Sequence, residues 1–177
     1  KCGLATMQLV AERLDRAAAP YRLAYVFYER EEGPYLESGL GPLFAAVPGL
    51  RGIDFAFCLE PSDDAVQVGC CGSLQALLEF KGKSAHSARP WQGENAIHKA
   101  APVLTRLAAR ATTTLSLGGL EFREVMNATL ANGGRARNVI PETFTVNVNY
   151  RFAPGKAVET AKAELLALVD GAAQVTF

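Results

Sequence analysis

Residues 143–152 alternate without a break. Phe144, Val146, Val148, Tyr150 and Phe152 fall on one side, and Thr145, Asn147, Asn149 and Arg151 on the other. A period of two held this long is a β-strand with one apolar face. Such a face has to be covered by another layer, and the neighbouring sequence supplies one. Ser73 to Phe80 repeats the pattern, with Leu74, Ala76, Leu78 and Phe80 on its apolar side. Val125 to Ala131 reads as a further strand, closed by Asn132-Gly133-Gly134, and Gln174 to Phe177 as the start of a last one. Asn95 to Arg110 places Ile97, Ala100, Ala101, Leu104, Leu107 and Ala108 on one helical face, with Pro102 expected to kink the helix or end its first turns. Val158, Ala161, Leu165, Leu168 and Val169 mark a second helix, which Gly171 can cap. The order β-α-β-β-α-β is the split βαβ, or ferredoxin-like, arrangement, and it is complete within residues 72–177.

The residues before it follow another rhythm. Leu4, Met7, Val10, Ala11 and Leu14 share a helical face, and Pro20 closes that element. Leu23 to Tyr28 is short, apolar and aromatic, the composition of a strand buried on both faces. It runs into Glu29-Arg30-Glu31-Glu32-Gly33. A helix is expected between Tyr35 and Val47, and a second apolar strand from Ile53 to Leu59, ending at Glu60-Pro61. A Ser-Asp-Asp turn and a short strand over Ala65 to Gly69 follow. Alternating helix and strand define an α/β layer with a mostly parallel sheet. Two or three strands and two helices do not close such a sheet. The fold class is therefore α/β: part of an α/β domain over residues 1–71, then a complete βαββαβ domain over 72–177.

Ligands of α/β sheets bind beyond the carboxyl ends of the strands, and two of these strands end in carboxylates, at Glu31-Glu32 and at Glu60. Carboxylates from neighbouring strand ends can hold divalent ions, and a spare one can take a proton from an attacking water. The plain alternative is that they are solvated. Between the first strand of the second domain and its helix lies an irregular stretch, Lys81 to His98, carrying His86, Arg89 and the single tryptophan, Trp91. Histidine and arginine on a loop held between regular elements are placed to meet a ligand; the alternative is a surface loop whose histidine bonds only locally. His98, on a helix, is read as structural. Tyr25, Tyr28 and Trp91 are assigned to packing.

Composition narrows the classes. Lys plus Arg number 18 and Asp plus Glu 18, so the formal charge is zero and the basic excess of a nucleic-acid binder is missing. No apolar run approaches the ~18 residues of a membrane span. Cys2, Cys58, Cys70 and Cys71 form no Cys-x-x-Cys pair, and adjacent cysteines are poor disulfide partners. They read as reduced thiols of a cytoplasmic protein. The chain opens on lysine and ends in a strand, as a segment of a longer polypeptide would.

Several motifs now stand in order: Glu31-Glu32-Gly33, Glu60-Pro61-Ser62, Gly72-Ser73, Ala85-His86-Ser87-Ala88-Arg89-Pro90, Gly93-Glu94-Asn95-Ala96-Ile97 and Asn138-Val139-Ile140-Pro141. Together they resemble the co-catalytic zinc aminoacylase/carboxypeptidase family, over essentially the whole chain. The resemblance implies a zinc-dependent hydrolase acting on the amide of a small N-acyl amino acid. It points to removal of a succinyl group, with deacetylation or carboxypeptidase activity as the alternative. It implies Glu31 as general base, Glu32 and Glu60 as zinc ligands, and His86 as a donor to the tetrahedral intermediate in the partner subunit's site. Asn138, Arg151, Arg89 and Ser73 fall on the substrate, Arg151 gripping a carboxylate. Two zinc ions are implied for the complete enzyme, with cobalt as an alternative, and residues 72–177 become a lid through which a homodimer forms. Arg135 and Arg137 would make the Asn138 loop attractive to a polyanion. Cys70 departs from the pattern, standing where many such enzymes carry a basic residue. The family's His-x-Asp zinc motif and bridging aspartate would precede Lys1, and its last histidine ligand would follow Phe177, so the chain alone is expected to bind zinc weakly. A non-catalytic dimerisation or ligand-binding module is the reading from another class; the strand-end glutamates argue against it.

Overall fold

The computed structural model of the chain describes residues 2–15, 17–60 and 65–177. The chain divides into two compact units, Lys1–Val66 and Gln67–Phe177. The Ser62–Asp64 turn expected from the sequence lies outside the described residues, as does Lys1.

In the first unit, helix α1 spans Cys2–Arg13. The helix expected over 35–47 is broken into a 3-10 turn, Tyr35–Glu37, and helix α2, Leu40–Ala46. Pro42 is tolerated because it sits in the first turn of α2, where the N–H has no intrahelical acceptor. The three runs read as strands, 23–28, 53–59 and 65–69, form no ladder among the described residues. Nor are the first two buried: Phe27 and Phe55 are exposed, and Phe57 is 81% exposed. Aromatic and β-branched composition favours a strand only where a neighbouring strand takes up the backbone groups, and here none does.

The second unit carries the sheet. Strand β1 (Gly72–Lys81) leads through a short strand β2 (Ala85–His86) to helix α3 (Ala96–Ala109). A hairpin of β3 (Thr113–Leu117) and β4 (Leu120–Gly133) follows. Then come β5 (Val139–Ile140), β6 (Thr143–Phe152), helix α4 (Val158–Val169) and β7 (Gln174–Thr176). The main sheet has the order β3-β4-β6-β1-β7, and β2 pairs separately with β5. Every neighbouring pair is antiparallel. The result is the expected split βαβ arrangement with β3 added at one edge.

The alternation seen in the sequence is the alternation of burial. Leu74, Ala76, Leu78 and Phe80 of β1 meet Phe144, Val146, Val148, Tyr150 and Phe152 of β6 under Ala100, Val103 and Leu107 of α3 and Ala161, Leu165 and Val169 of α4. Asn95 caps α3, its Oδ1 accepting from the amides of Ile97 at 2.9 Å and His98 at 3.4 Å. Pro102 does not end the helix: α3 runs on through it. The proline lies on the exposed face, where water can serve the carbonyl it leaves without a donor. Helix α4 ends at Asp170 and Gly171, both with positive φ. Arg106 of α3 donates to the terminal carbonyls of Leu168 at 2.6 Å and Val169 at 3.1 Å.

Candidate active site and substrate-binding residues

The small β2–β5 ladder brings His86 and Asn138 together. His86 faces Val139, and the Ser87 amide donates to the Asn138 carbonyl at 2.9 Å. The Arg89 amide donates to the His86 carbonyl at 2.8 Å. The surrounding loop is tightly woven. Lys83 and Glu94 exchange backbone bonds of 2.8 and 2.9 Å, and the Gly82 amide donates to Glu142 at 2.8 Å. A Cβ on Gly82 would lie 2.2 Å from the Glu94 carbonyl oxygen, and one on Gly93 2.6 Å from the Ala85 Cβ. Only glycine permits these crossings.

On this frame the Ala88 amide donates to His86 Nδ1 at 3.1 Å. A ring nitrogen that accepts a hydrogen bond carries no proton, so neutral His86 keeps its proton on Nε2. That N–H belongs to an exposed ring and has no partner among the described residues. It is a donor held ready for an external oxygen. Arg89, Arg135 and Arg137 are exposed at the same end of the unit. Arg135 donates to Ser84 Oγ at 3.5 Å and lies 3.8 Å from Glu142. Trp91 does not pack as expected: it is 77% exposed on a 3-10 turn, Pro90–Gln92.

Arg151 and Ser73 form a second group. They are directly opposed on β6 and β1, on the sheet face turned away from the helices. From Ser73 to Lys81 the strand advances about 26 Å at ~3.3 Å per residue. The His86 loop begins beyond Lys81, so the two groups occupy opposite ends of the sheet. No small molecule touches both within one copy.

The carboxylates lie in the first unit. Glu31 and Glu32 are exposed on a turn closed by the Gly33 amide bonding to Arg30 at 3.3 Å. Arg30 has φ 57°, and its guanidinium reaches Glu37 at 3.4 Å. Glu60 is also exposed. The Tyr28 hydroxyl is pushed above its ordinary value by partial burial first, then by the negative charge of Glu31, Cys58 and Glu60. Glu31 and Glu60 are thus within electrostatic reach of one hydroxyl. Among the described residues there is no grouping of three or more His, Cys, Asp or Glu side chains able to hold a metal ion. Glu32 and Glu60 are suitable oxygen donors, but zinc's tetrahedral shell usually includes nitrogen or sulfur. The described residues do not build that shell.

One cluster had no sequence signal. Glu124, only 4% exposed, accepts from the Ala153 amide at 2.8 Å and from Lys156 Nζ at 2.8 Å, with the Tyr150 hydroxyl oxygen 3.4 Å away. Lys156 also reaches Glu164 at 2.7 Å, and the Tyr150 hydroxyl donates to Glu164 as well. Burial pushes both carboxyls up, but the hydrogen bonds and charge of Lys156 outweigh it and hold both below their ordinary value. The cluster ties β4 to the end of β6, beside Arg151.

A split βαβ sheet with both helices on one face and a histidine-bearing loop at one end defines the second unit as a compact α/β module. The chain belongs to the M20 peptidase dimerisation domain family, whose profile matches residues 68–175. Its relatives include a Mycobacterium tuberculosis protein described as a succinyl-diaminopimelate desuccinylase, 39% identical over 155 residues, which is 88% of this chain and 44% of that protein. Another is the succinyl-diaminopimelate desuccinylase of Corynebacterium glutamicum, 34% identical over 91% of this chain and 44% of the relative. The chain thus spans less than half the length of these relatives. Among solved structures, an aminobenzoyl-glutamate utilization protein from Klebsiella pneumoniae matches 60% of this chain and 27% of its own length, with a TM-score of 0.48 and 21% identity. No helix among the described residues is long and apolar enough to cross a membrane.

Proposed function

We propose that this chain is part of a metal-dependent amide hydrolase that removes succinate from N-succinyl-L,L-diaminopimelate in lysine and diaminopimelate biosynthesis. Residues 1–71 belong to its metal-binding catalytic domain and residues 72–177 to its lid. The observation that carries amide hydrolysis is the His86 arrangement: a rigid loop, a fixed tautomer and a free Nε2–H. Such a donor stabilises the oxyanion that forms when water attacks an amide carbonyl. The succinyl substrate comes from what the relatives' names say of them.

In this reading Glu31 takes a proton from the attacking water and passes it to the leaving amine. Arg151 grips a substrate carboxylate with paired hydrogen bonds, Ser73 beside it. Asn138 and Arg89 line the oxyanion end with His86. Because the two groups lie about a strand length apart, one copy cannot bring both to a single substrate; His86 serves the site of a second copy, so the working unit is a homodimer. Glu32 and Glu60 are metal ligands, the metal being zinc, with the remaining donors outside the residues described. The four cysteines are free thiols, which accords with a cytoplasmic enzyme.

The experiment compares metal-dependent hydrolysis of N-succinyl-L,L-diaminopimelate and N-acetylornithine by the full-length protein. A large preference for the succinyl substrate, abolished by chelation, is expected. A preference for the acetyl substrate replaces the substrate assignment, and hydrolysis of neither with metal bound refutes it.

A further inference from the structure

The sheet face that carries Arg151 carries a second arginine. Val125 of β4 lies opposite Arg151, and Arg123 precedes Val125 by one full period of the strand, so its side chain leaves the same face. The burial pattern agrees: Glu124 and Met126 are buried among the helices, whereas Arg123 and Arg151 are exposed. A diagonal cross-strand pair of this kind is separated by about 7–8 Å, within the span of two long guanidinium side chains. Neither arginine has an ion-pair or side-chain hydrogen-bond partner among the described residues.

The neighbours on this face are mostly uncharged. Ser73 and Val125 flank Arg151, and Asn127, Asn149 and Gln75 form the next row. Thr114 lies opposite Arg123. The nearest acid on the face is Glu121, a further period along β4, and it makes no bond to Arg123. Two like charges on one face repel, and an anion between them relieves that repulsion while accepting from both. The backbone beneath them is fixed, because Glu124, the residue after Arg123, binds the amide of Ala153, just beyond Arg151. Arg123 therefore cannot drift from Arg151 without breaking a buried bond.

We propose that Arg123 is a second carboxylate-binding residue, holding with Arg151 a substrate that bears at least two carboxylates. This rests on the proposed function, whose succinyl substrate is such a molecule. Arg123 sets specificity, selecting polycarboxylate substrates over those with a single carboxylate.

In the full-length protein, Arg123→Met lowers the ratio of kcat/KM for N-succinyl-L,L-diaminopimelate to that for N-acetylornithine, which has one carboxylate. The expected fall is about tenfold or more, the scale of a lost hydrogen bond to a charged group, and it comes mainly through KM. Arg123→Lys keeps the charge but loses the paired geometry and recovers part of the ratio. An unchanged ratio in an enzyme that hydrolyses the succinyl substrate overturns the proposal and leaves the proposed function standing. If the wild-type protein hydrolyses neither substrate, the proposed function fails, and the decision passes to binding. The chain is then titrated with succinate, and with acetate as control, while the arginine Nε–H signals are followed by NMR. Saturating shifts of both Arg123 and Arg151 with succinate, weakened by either Met substitution, sustain the pair. An Arg123 signal that does not move overturns it.

Discussion

Replacing Lys156 by methionine tests the buried cluster that fixes the end of β6. Methionine keeps most of the apolar stem and removes the charge. Lys156 is 17% exposed on its side chain and bonds Glu124, which is 4% exposed, and Glu164, which is 33% exposed. Removing one partner of a buried pair costs roughly 3–5 kcal/mol, because the other charge stays buried without compensation. The contact to Glu164 is open enough to fall in the surface range, at most about 1 kcal/mol. Glu124 also keeps the Ala153 amide, which places the expected loss at about 3 kcal/mol, the low end of the range. With a urea m-value of about 2 kcal/mol/M, the unfolding midpoint falls by roughly 1.5 M. Glu124→Gln in the same background removes the stranded charge, so the double variant is more stable than the sum of the single losses by more than about 0.5 kcal/mol. A midpoint shift below about 0.4 M, or simple additivity, refutes the claim that this pair is buried and coupled.

The same cluster sets a pH profile. Glu124 and Glu164 are held below their ordinary value of 4.5, so the unfolded chain binds more protons, and stability measured by urea melts falls as pH drops through and below 4.5. Tyr150 is raised above 10.0, burial being the largest cause. Lys156 is raised above 10.5, its bonds to Glu124, Glu164 and Tyr150 outweighing the opposing effect of burial. Their contributions are complete below those values and are lost as pH rises past them. On the proposed homodimer reading, mixing full-length Glu31→Gln and His86→Ala subunits restores hydrolysis that neither variant shows alone, because one site of the mixed dimer keeps both residues; failure of dimers shown to have exchanged subunits places His86 in its own copy's site. The 177-residue chain, dialysed with zinc and then without it, retains no stoichiometric metal by atomic absorption; retention at Glu32 and Glu60 contradicts the donor-set argument. Trp91, the single tryptophan, emits as a solvated indole in the monomer, and its emission moves to shorter wavelength when the His86 loop enters a second copy; an unchanged spectrum in a proven dimer leaves the loop outside the interface.

The elements that were legible are those whose core lies inside their own unit. β1, β6, α3 and α4 bury apolar faces against one another, so the strand alternation is the direct imprint of the packing; on α3 the expected face is rotated, with Ala100 and Leu107 buried together with Ala96 and Val103, while Ile97, Ala101 and Ala108 are exposed. β3 escaped because only Leu115 among its residues is even half-buried, which leaves no alternation to read. Its signal was in the turn: Gly118 and Gly119, with φ 59° and 82°, join Leu117 to Leu120 as the double glycine of a type I′ hairpin. The runs at 23–28 and 53–59 show the reverse error. Their composition is that of strands, but composition describes what a residue suits, and a ladder needs a neighbour. At the site, the motif order pointed to His86 and Asn138, yet their meeting depends on β2 and β5, too short to leave any periodicity. The Glu124–Lys156 bond joins residues far apart in sequence, and neither has a local pattern that marks it for burial.

The two-ended arrangement of site residues follows from the sheet itself. β1 and β6 run in unbroken register from Gly72 opposite Phe152 to Lys81 opposite Thr143, and the layer beneath them is close-packed from Leu74 to Phe80. Close-packed cores do not stretch, so the interval between Arg151 and the His86 loop is fixed by strand length rather than by loop flexibility. The bulge between Ala128 and Leu130 lies on β4 between the Val125–Arg151 row and the far end. It shifts the β4–β6 pairing by one residue and leaves the β1–β6 register untouched. A lid built this way delivers, on the proposed reading, substrate recognition at one end and an oxyanion donor at the other, at a spacing neither end can adjust. On the proposed reading, a second copy of the chain is then a geometric requirement of the chemistry, since only another subunit's site can bring the two ends to bear on a single amide.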